Sequence, residues 1–274
     1  MTGADACLAS QLLPADVARI EASAGWRKER VEVLDVSVGR VIVKGHRPRR
    51  KPARHRALNA VARLVGVPIL RAVPVHGGAA SQAVEIRRLR ALRAAGVRVP
   101  ELLHVAPEYF VMRWLGGNHL ASALSEGVPA AFDLWREAAN AILDTHRRGQ
   151  YLSQCFGRNV IVGTAADVAG FQGFIDFEDD PLEVMGLPEA QVRDWLIYLQ
   201  STLWQVPATP SQIDAVLDAC LQGESESVRR LFALACRRLA WLRRLPAHRR
   251  WGRDTLAVRA VATLAHRWRQ RHGA

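Results

Sequence analysis

Cysteine is scarce and scattered: the chain of 274 residues has four, at Cys7, Cys155, Cys220 and Cys236, with no CxxC pair among them. That spacing excludes an ordinary zinc cluster or a disulfide framework and points to a reducing compartment. Aromatic residues make up only 7% of the chain, too few for the interleaved stacking platform of a single-strand nucleic-acid binder. No run of about 18 uncharged apolar residues occurs, so no ordinary membrane-spanning helix is expected. The opening MTGADACLASQLLPADVARI has no basic leader and no sustained apolar stretch, and it does not read as a signal peptide. Acid is short relative to base, with 26 Asp and Glu against 38 Lys and Arg and a formal net charge of +12. Such an excess implies an anionic partner: nucleic acid, a phosphorylated ligand or an acidic lipid surface. The expected location is cytoplasmic, with peripheral attachment at the inner membrane compatible with the charge.

A hydrophobic share of 49% is enough to bury a sizeable core in one large domain or two lobes. The stretch RVEVLDVSVGRVIVK, from Arg30 to Lys44, alternates apolar and polar residues about Val38-Gly39-Arg40, which predicts two strands and a tight hairpin. SQAVEIRRLRALRAA, from Ser81 to Ala95, has the spacing of an amphipathic helix, closed by Gly96. VPELLHVAPEYFVMRWL predicts two more strands, and Gly116-Gly117 marks a bend or a close approach. After Phe132 the periodicity turns helical, apart from a short strand pair in VIV and FQGFIDF. The expected fold class is therefore α+β. It comprises a mostly β N-terminal lobe over residues 1–115, with a basic and apolar insertion at about 45–76, and a helical lobe over 116–274.

Four residues carry the chemistry. Lys44 ends an alternating strand, Glu85 lies on the next helix, Asn159 opens the strand VIV, and Asp176 follows the strand in GFIDFEDD. Taken singly, each has a bland reading as a strand-end lysine or an exposed helix acid. Their order, running from about Val31 to Trp204, resembles the protein kinase-like fold, including aminoglycoside phosphotransferases and bacterial lipopolysaccharide kinases. The resemblance implies that Lys44 holds nucleotide phosphates and pairs with Glu85, and that Asn159 and Asp176 bind magnesium, so that ATP and Mg2+ are the expected cofactors. Asp194, in VRDWLIYL, resembles the helix acid that supports a kinase catalytic loop; it reads equally well as an acid near a helix N-terminus.

Two departures from that pattern stand out. In the resembling families an acid five residues before the asparagine orients the acceptor hydroxyl, whereas this chain has Gln154, and a neutral amide cannot act as a base. Glu178 stands where many kinases have glycine, and with Asp179 and Asp180 it predicts an acidic cluster at the mouth of a cleft. Either positioning carries most of the catalysis, so that loss of the usual acid is tolerated or Asp179 or Asp180 takes its place, or the chain is a pseudokinase that binds nucleotide or only a partner. Arg47, Arg49, Arg50, Lys51, Arg54 and Arg56, followed by an apolar stretch, suit an anionic membrane surface or a lipid-linked substrate. Nucleic acid is disfavoured, because neither a helix-turn-helix nor a zinc-finger pattern is present. His146 reads as structural and Cys155 as a buried thiol.

Overall fold

The computed structural model describes residues 11–46, 69, 71–74, 76–163, 169–246 and 249–273. The fold class is α+β. The chain divides into two compact units, one drawn from residues 1–50, 75–115 and 177–179, the other from residues 51–74, 116–176 and 180–274. The change of unit after Leu115 falls at the glycine pair. Most of the basic and apolar insertion expected at 45–76 lies outside the described residues.

The first unit opens with two helices, α1 (Pro14–Ala22) and α2 (Gly25–Glu29), where mostly strands were expected. Pro14 at the first helical turn suits a helix start, since its missing N–H has no helical partner there. Four antiparallel strands follow in the spatial order β1-β2-β4-β3: β1 (Val31–Val36), β2 (Gly39–Gly45), β3 (Leu102–Val105) and β4 (Tyr109–Arg113). The β1–β2 hairpin turns through Ser37 and Val38, with Val36 opposite Gly39.

Alternation along β2 puts Val41 and Val43 on one face, where they join Ile20, Trp26, Leu103, Tyr109 and Val111 in a buried core. The intervening residues Ile42 and Lys44 therefore point the other way. Helix α3 (Gly78–Ala94) buries Val84, Glu85, Leu89 and Leu92, and it also buries Arg88.

The second unit holds a small antiparallel sheet, β5 (Asn118–His119), β6 (Val160–Gly163) and β7 (Gly170–Phe174), in that spatial order. Gly117, with φ of +70°, lies so close to β6 that a Cβ there would sit 2.4 Å from the Val162 carbonyl oxygen. Only glycine allows the chain past that strand. Six helices among the described residues follow in this unit: α4 (Leu120–Glu126), α5 (Ala131–Arg147), α6 (Leu187–Thr202), α7 (Pro210–Gln222), α8 (Glu226–Leu239) and α9 (Arg253–His272). Helix α7 starts at a reciprocal cap between Thr209 and Gln212, with Pro210 in its first turn. No helix among the described residues is long and apolar enough to cross a membrane.

Candidate functional site

In the first unit the site is built on Lys44. Because β2 turns this side chain away from the Val41 and Val43 core, its ammonium meets α3, and Nζ lies 2.7 Å from Glu85 Oε1. Both residues are buried. Glu85 also accepts a hydrogen bond from the Phe177 N–H at 3.4 Å, which ties the segment after Asp176 to the same carboxylate.

A second acid completes the cluster. Glu178 Oε1 is 3.0 Å from Lys44 Nζ, and the same carboxylate pairs with the Arg30 guanidinium. Arg30 reaches it from the residue before β1, whose first residue, Val31, lies opposite Lys44. Lys44 and Arg30 thus face the Glu85 and Glu178 carboxylates, an attraction that offsets much of the cost of taking charge out of water.

The acidic mouth expected at Glu178, Asp179 and Asp180 is not exposed, since all three are buried. Glu178 neutralises Lys44 and Arg30, and Asp179 is buried within the first unit. Asp180 belongs to the second unit, where it accepts from the Tyr151 hydroxyl at 2.6 Å and from the Leu182 N–H at 3.1 Å, capping the short turn Pro181–Glu183.

In the second unit the site is the loop from Gln150 to Asn159. Helix α5 ends where Gly149, at φ of +69°, lets the Gln150 N–H return to the Thr145 carbonyl at 3.1 Å. From there α6 fixes the loop with residues at positions i, i+3 and i+10, which share one helical face. Gln191 donates to the Gln150 carbonyl at 2.9 Å, Asp194 accepts from the Leu152 N–H at 2.6 Å, and Ser201 accepts from the Gly157 N–H at 2.9 Å. Ser153, at φ of +69°, lies in the left-handed region between these anchors.

Asp194 is the eighth residue of α6, beyond the first turn, so a role at the helix N-terminus does not describe it. Its side chain is fully buried, and besides Leu152 it faces His146 Nε2 at 3.3 Å. On the other side of the imidazole, Nδ1 lies 2.6 Å from Glu224, which also accepts from the Trp195 indole at 2.7 Å. Burial alone would push the His146 pKa down. Hydrogen bonds to Asp194 and Glu224, with their charges, outweigh burial and hold it above its ordinary value. Cys155, buried on the same loop, has its thiol pushed well up by burial, which makes it a packing residue rather than a nucleophile.

Asn159 and Asp176 are related through the β6–β7 pairing. Val160 lies opposite Phe174, and the Asn159 carbonyl accepts from the Ile175 N–H at 2.9 Å, so Asp176 follows one residue beyond that bond. Asn159 Nδ2 donates to the Gln154 carbonyl at 2.9 Å, leaving Oδ1 as the side-chain atom suited to a cation. Asp176 has φ of +71°, a conformation most side chains avoid and one that concentrates at functional sites. The Gln154 side chain is buried, and its Nε2 has no hydrogen-bond partner among the described residues.

The structure thus brings Lys44 and Glu85 together with Glu178 in one unit, and Gln154, Asn159 and Asp176 along connected backbone in the other. Sequence reasoning passed over Glu178 as a Lys44 partner, His146 as an ionic pin, and Glu224 altogether. The one available signal for Glu178 was its replacement of a glycine. No family model matches the chain, and no curated protein is significantly similar to it.

Proposed function

We propose that the chain is a kinase-like phosphotransferase that uses ATP and magnesium to phosphorylate a hydroxyl on a lipid or lipopolysaccharide-type acceptor, with its two units as the lobes of a protein kinase-like fold. The buried Lys44–Glu85 pair at 2.7 Å carries this reading, because a strand lysine steadied by a helix acid is an arrangement that presents an ammonium to nucleotide phosphates. Magnesium-bound ATP would supply the phosphoryl group. Lys44 would meet phosphate oxygens, and Asn159 Oδ1 and the Asp176 carboxylate would hold the cation, an all-oxygen set of the kind magnesium prefers. Gln154 cannot take the acceptor's proton, so alignment of the hydroxyl would carry most of the rate, with Asp179, the next acid after Glu178, standing in for the usual one.

Two observations favour a second reading, a pseudokinase that binds nucleotide without transferring phosphate: the amide of Gln154 at the base position, and Glu178 against Lys44. Thermal unfolding with magnesium and ATP, followed by turnover assays on lipid extracts, separates the two. At ligand about 100-fold above Kd, binding stabilises the parent chain by about 2.7 kcal/mol. Lys44→Met and Asp176→Asn each lose that gain; the second keeps the Lys44–Glu85 pair and guards against a folding failure of the first. No shift in the parent removes the nucleotide reading. A shift without turnover on any acceptor selects the pseudokinase.

A further inference from the structure

The second unit carries a patch that the nucleotide chemistry does not use. From Ser227 to Arg253 the chain has nine arginines and no Asp or Glu. Two tryptophans in this stretch are exposed, Trp241 at 52% and Trp251 at 56%, although most of the chain's large apolar residues are buried. Leu234, on α8, is exposed at 37% beside them in sequence. Trp241 lies on the short turn Ala240–Arg244, directly after α8, and Trp251 ends the turn Arg249–Trp251, directly before α9. Both turns pack against α9.

The arginines of this patch differ from those at the far end of α9. There, Arg267 and Arg271 are neutralised by Asp214, and Arg271 also pairs with Asp218. In the patch, Arg237, Arg238, Arg244 and Arg253 are exposed, and none makes a hydrogen bond or ion pair among the described residues. Folding has satisfied one set of guanidinium groups and left the other to solvent.

We propose that these two turns, with the adjoining ends of α8 and α9, form a surface that docks on an anionic phospholipid bilayer. Indole rings settle at the headgroup boundary, apolar body inward and N–H toward water, while arginine bonds phosphate oxygens and is attracted by negative surface potential. Exposed indoles on two turns, with Arg237, Arg238, Arg244 and Arg253 exposed in the same stretch of chain, match both requirements at once. A duplex would use the charge but has no need of two projecting indoles. The surface also deepens the proposed function, since it would hold the chain where a lipid-type acceptor resides, and it does so without residues 47–69.

Sedimentation of the full chain with phosphatidylcholine vesicles, with and without phosphatidylserine, tests the proposal in the absence of nucleotide. The parent binds only the vesicles containing phosphatidylserine, and added salt weakens binding. Trp241→Ala with Trp251→Ala, and separately Gln at Arg237, Arg238, Arg244 and Arg253, each lower the partition coefficient by about tenfold or more. All six positions are exposed, so the melting temperatures stay near that of the parent. Failure of the parent to bind anionic vesicles overturns the proposal. So does unchanged binding by both variants, which would move attachment to the basic segment before α3. Tight binding of an oligonucleotide that is lost in the arginine variant, with no vesicle binding, would overturn it in favour of nucleic acid. Vesicle binding by a chain that gains no stability from magnesium and ATP would support this surface and remove the kinase reading, so the two fail separately.

Discussion

Each unit buries an ionic cluster, and the two are built differently. In the first, Lys44 and Arg30 face Glu85 and Glu178. In the second, a single imidazole, His146, lies between Asp194 and Glu224, which also accept from the Leu152 N–H and the Trp195 indole. The first balances charge with ammonium and guanidinium. The second depends on a ring whose protonation changes near neutral pH. The proposed nucleotide lysine therefore sits in a cluster without an imidazole, whereas the loop bearing Gln154 and Asn159 hangs from one built on His146.

The largest effect that would break this contrast comes from Asp194→Ala. It removes the acceptor of Leu152 and one of the two acids at His146, and it costs about 3–5 kcal/mol in urea unfolding, the usual penalty for stranding a buried charged partner. A loss under about 1 kcal/mol would mean that the loop is held by Gln191 and Ser201 alone. Next in size is Glu178→Gln. Lys44 keeps Glu85, so the stability cost is smaller, about 1–3 kcal/mol. Because the neutral amide no longer competes for the ammonium, affinity for magnesium and ATP rises, as read by calorimetry. Unchanged or weaker nucleotide binding would show that Glu178 does not occupy the phosphate position of Lys44.

The smallest effect sharpens the difference between the clusters. The folded pKa of His146 lies above the ordinary value of 6.5, so the folded state holds a proton that the unfolded chain releases. Its contribution to stability is complete below about 6.5 and is lost as pH rises through the folded value. Unfolding free energy measured across that window therefore falls with rising pH, and His146→Gln flattens the slope. A slope identical in both proteins would assign the pH dependence to other groups.

Much of the first cluster was legible in the sequence. Alternation in VIVK fixed which way Lys44 points, and helical spacing put Glu85 on α3, so two local periodicities carry a pairing across 41 residues. Glu178 was read as part of an exposed acidic mouth because three consecutive acids ordinarily face water; packing against Lys44 and Arg30 reversed that. The second cluster was hidden. His146 and Glu224 are 78 residues apart, and Glu224 lies between two helices, where no periodicity marks a partner. Helices α1 and α2 were missed for another reason: they are short, and their stability comes from docking Ile20 and Trp26 into the sheet core rather than from a long apolar stripe.

By itself the sequence determined the local elements: the alternation of β2, the helical stripe of α3 with its glycine stop, and an arginine-rich stretch without acids. These follow from backbone sterics and side-chain spacing, which act over a few residues. Which charges meet was decided only by tertiary structure. It placed Glu178 against Lys44, caged His146 between Asp194 and Glu224, and paired Arg267 and Arg271 while leaving Arg237, Arg238, Arg244 and Arg253 to solvent. Burial makes an unmet charge costly wherever the chain is packed, and solvent removes that demand at the surface.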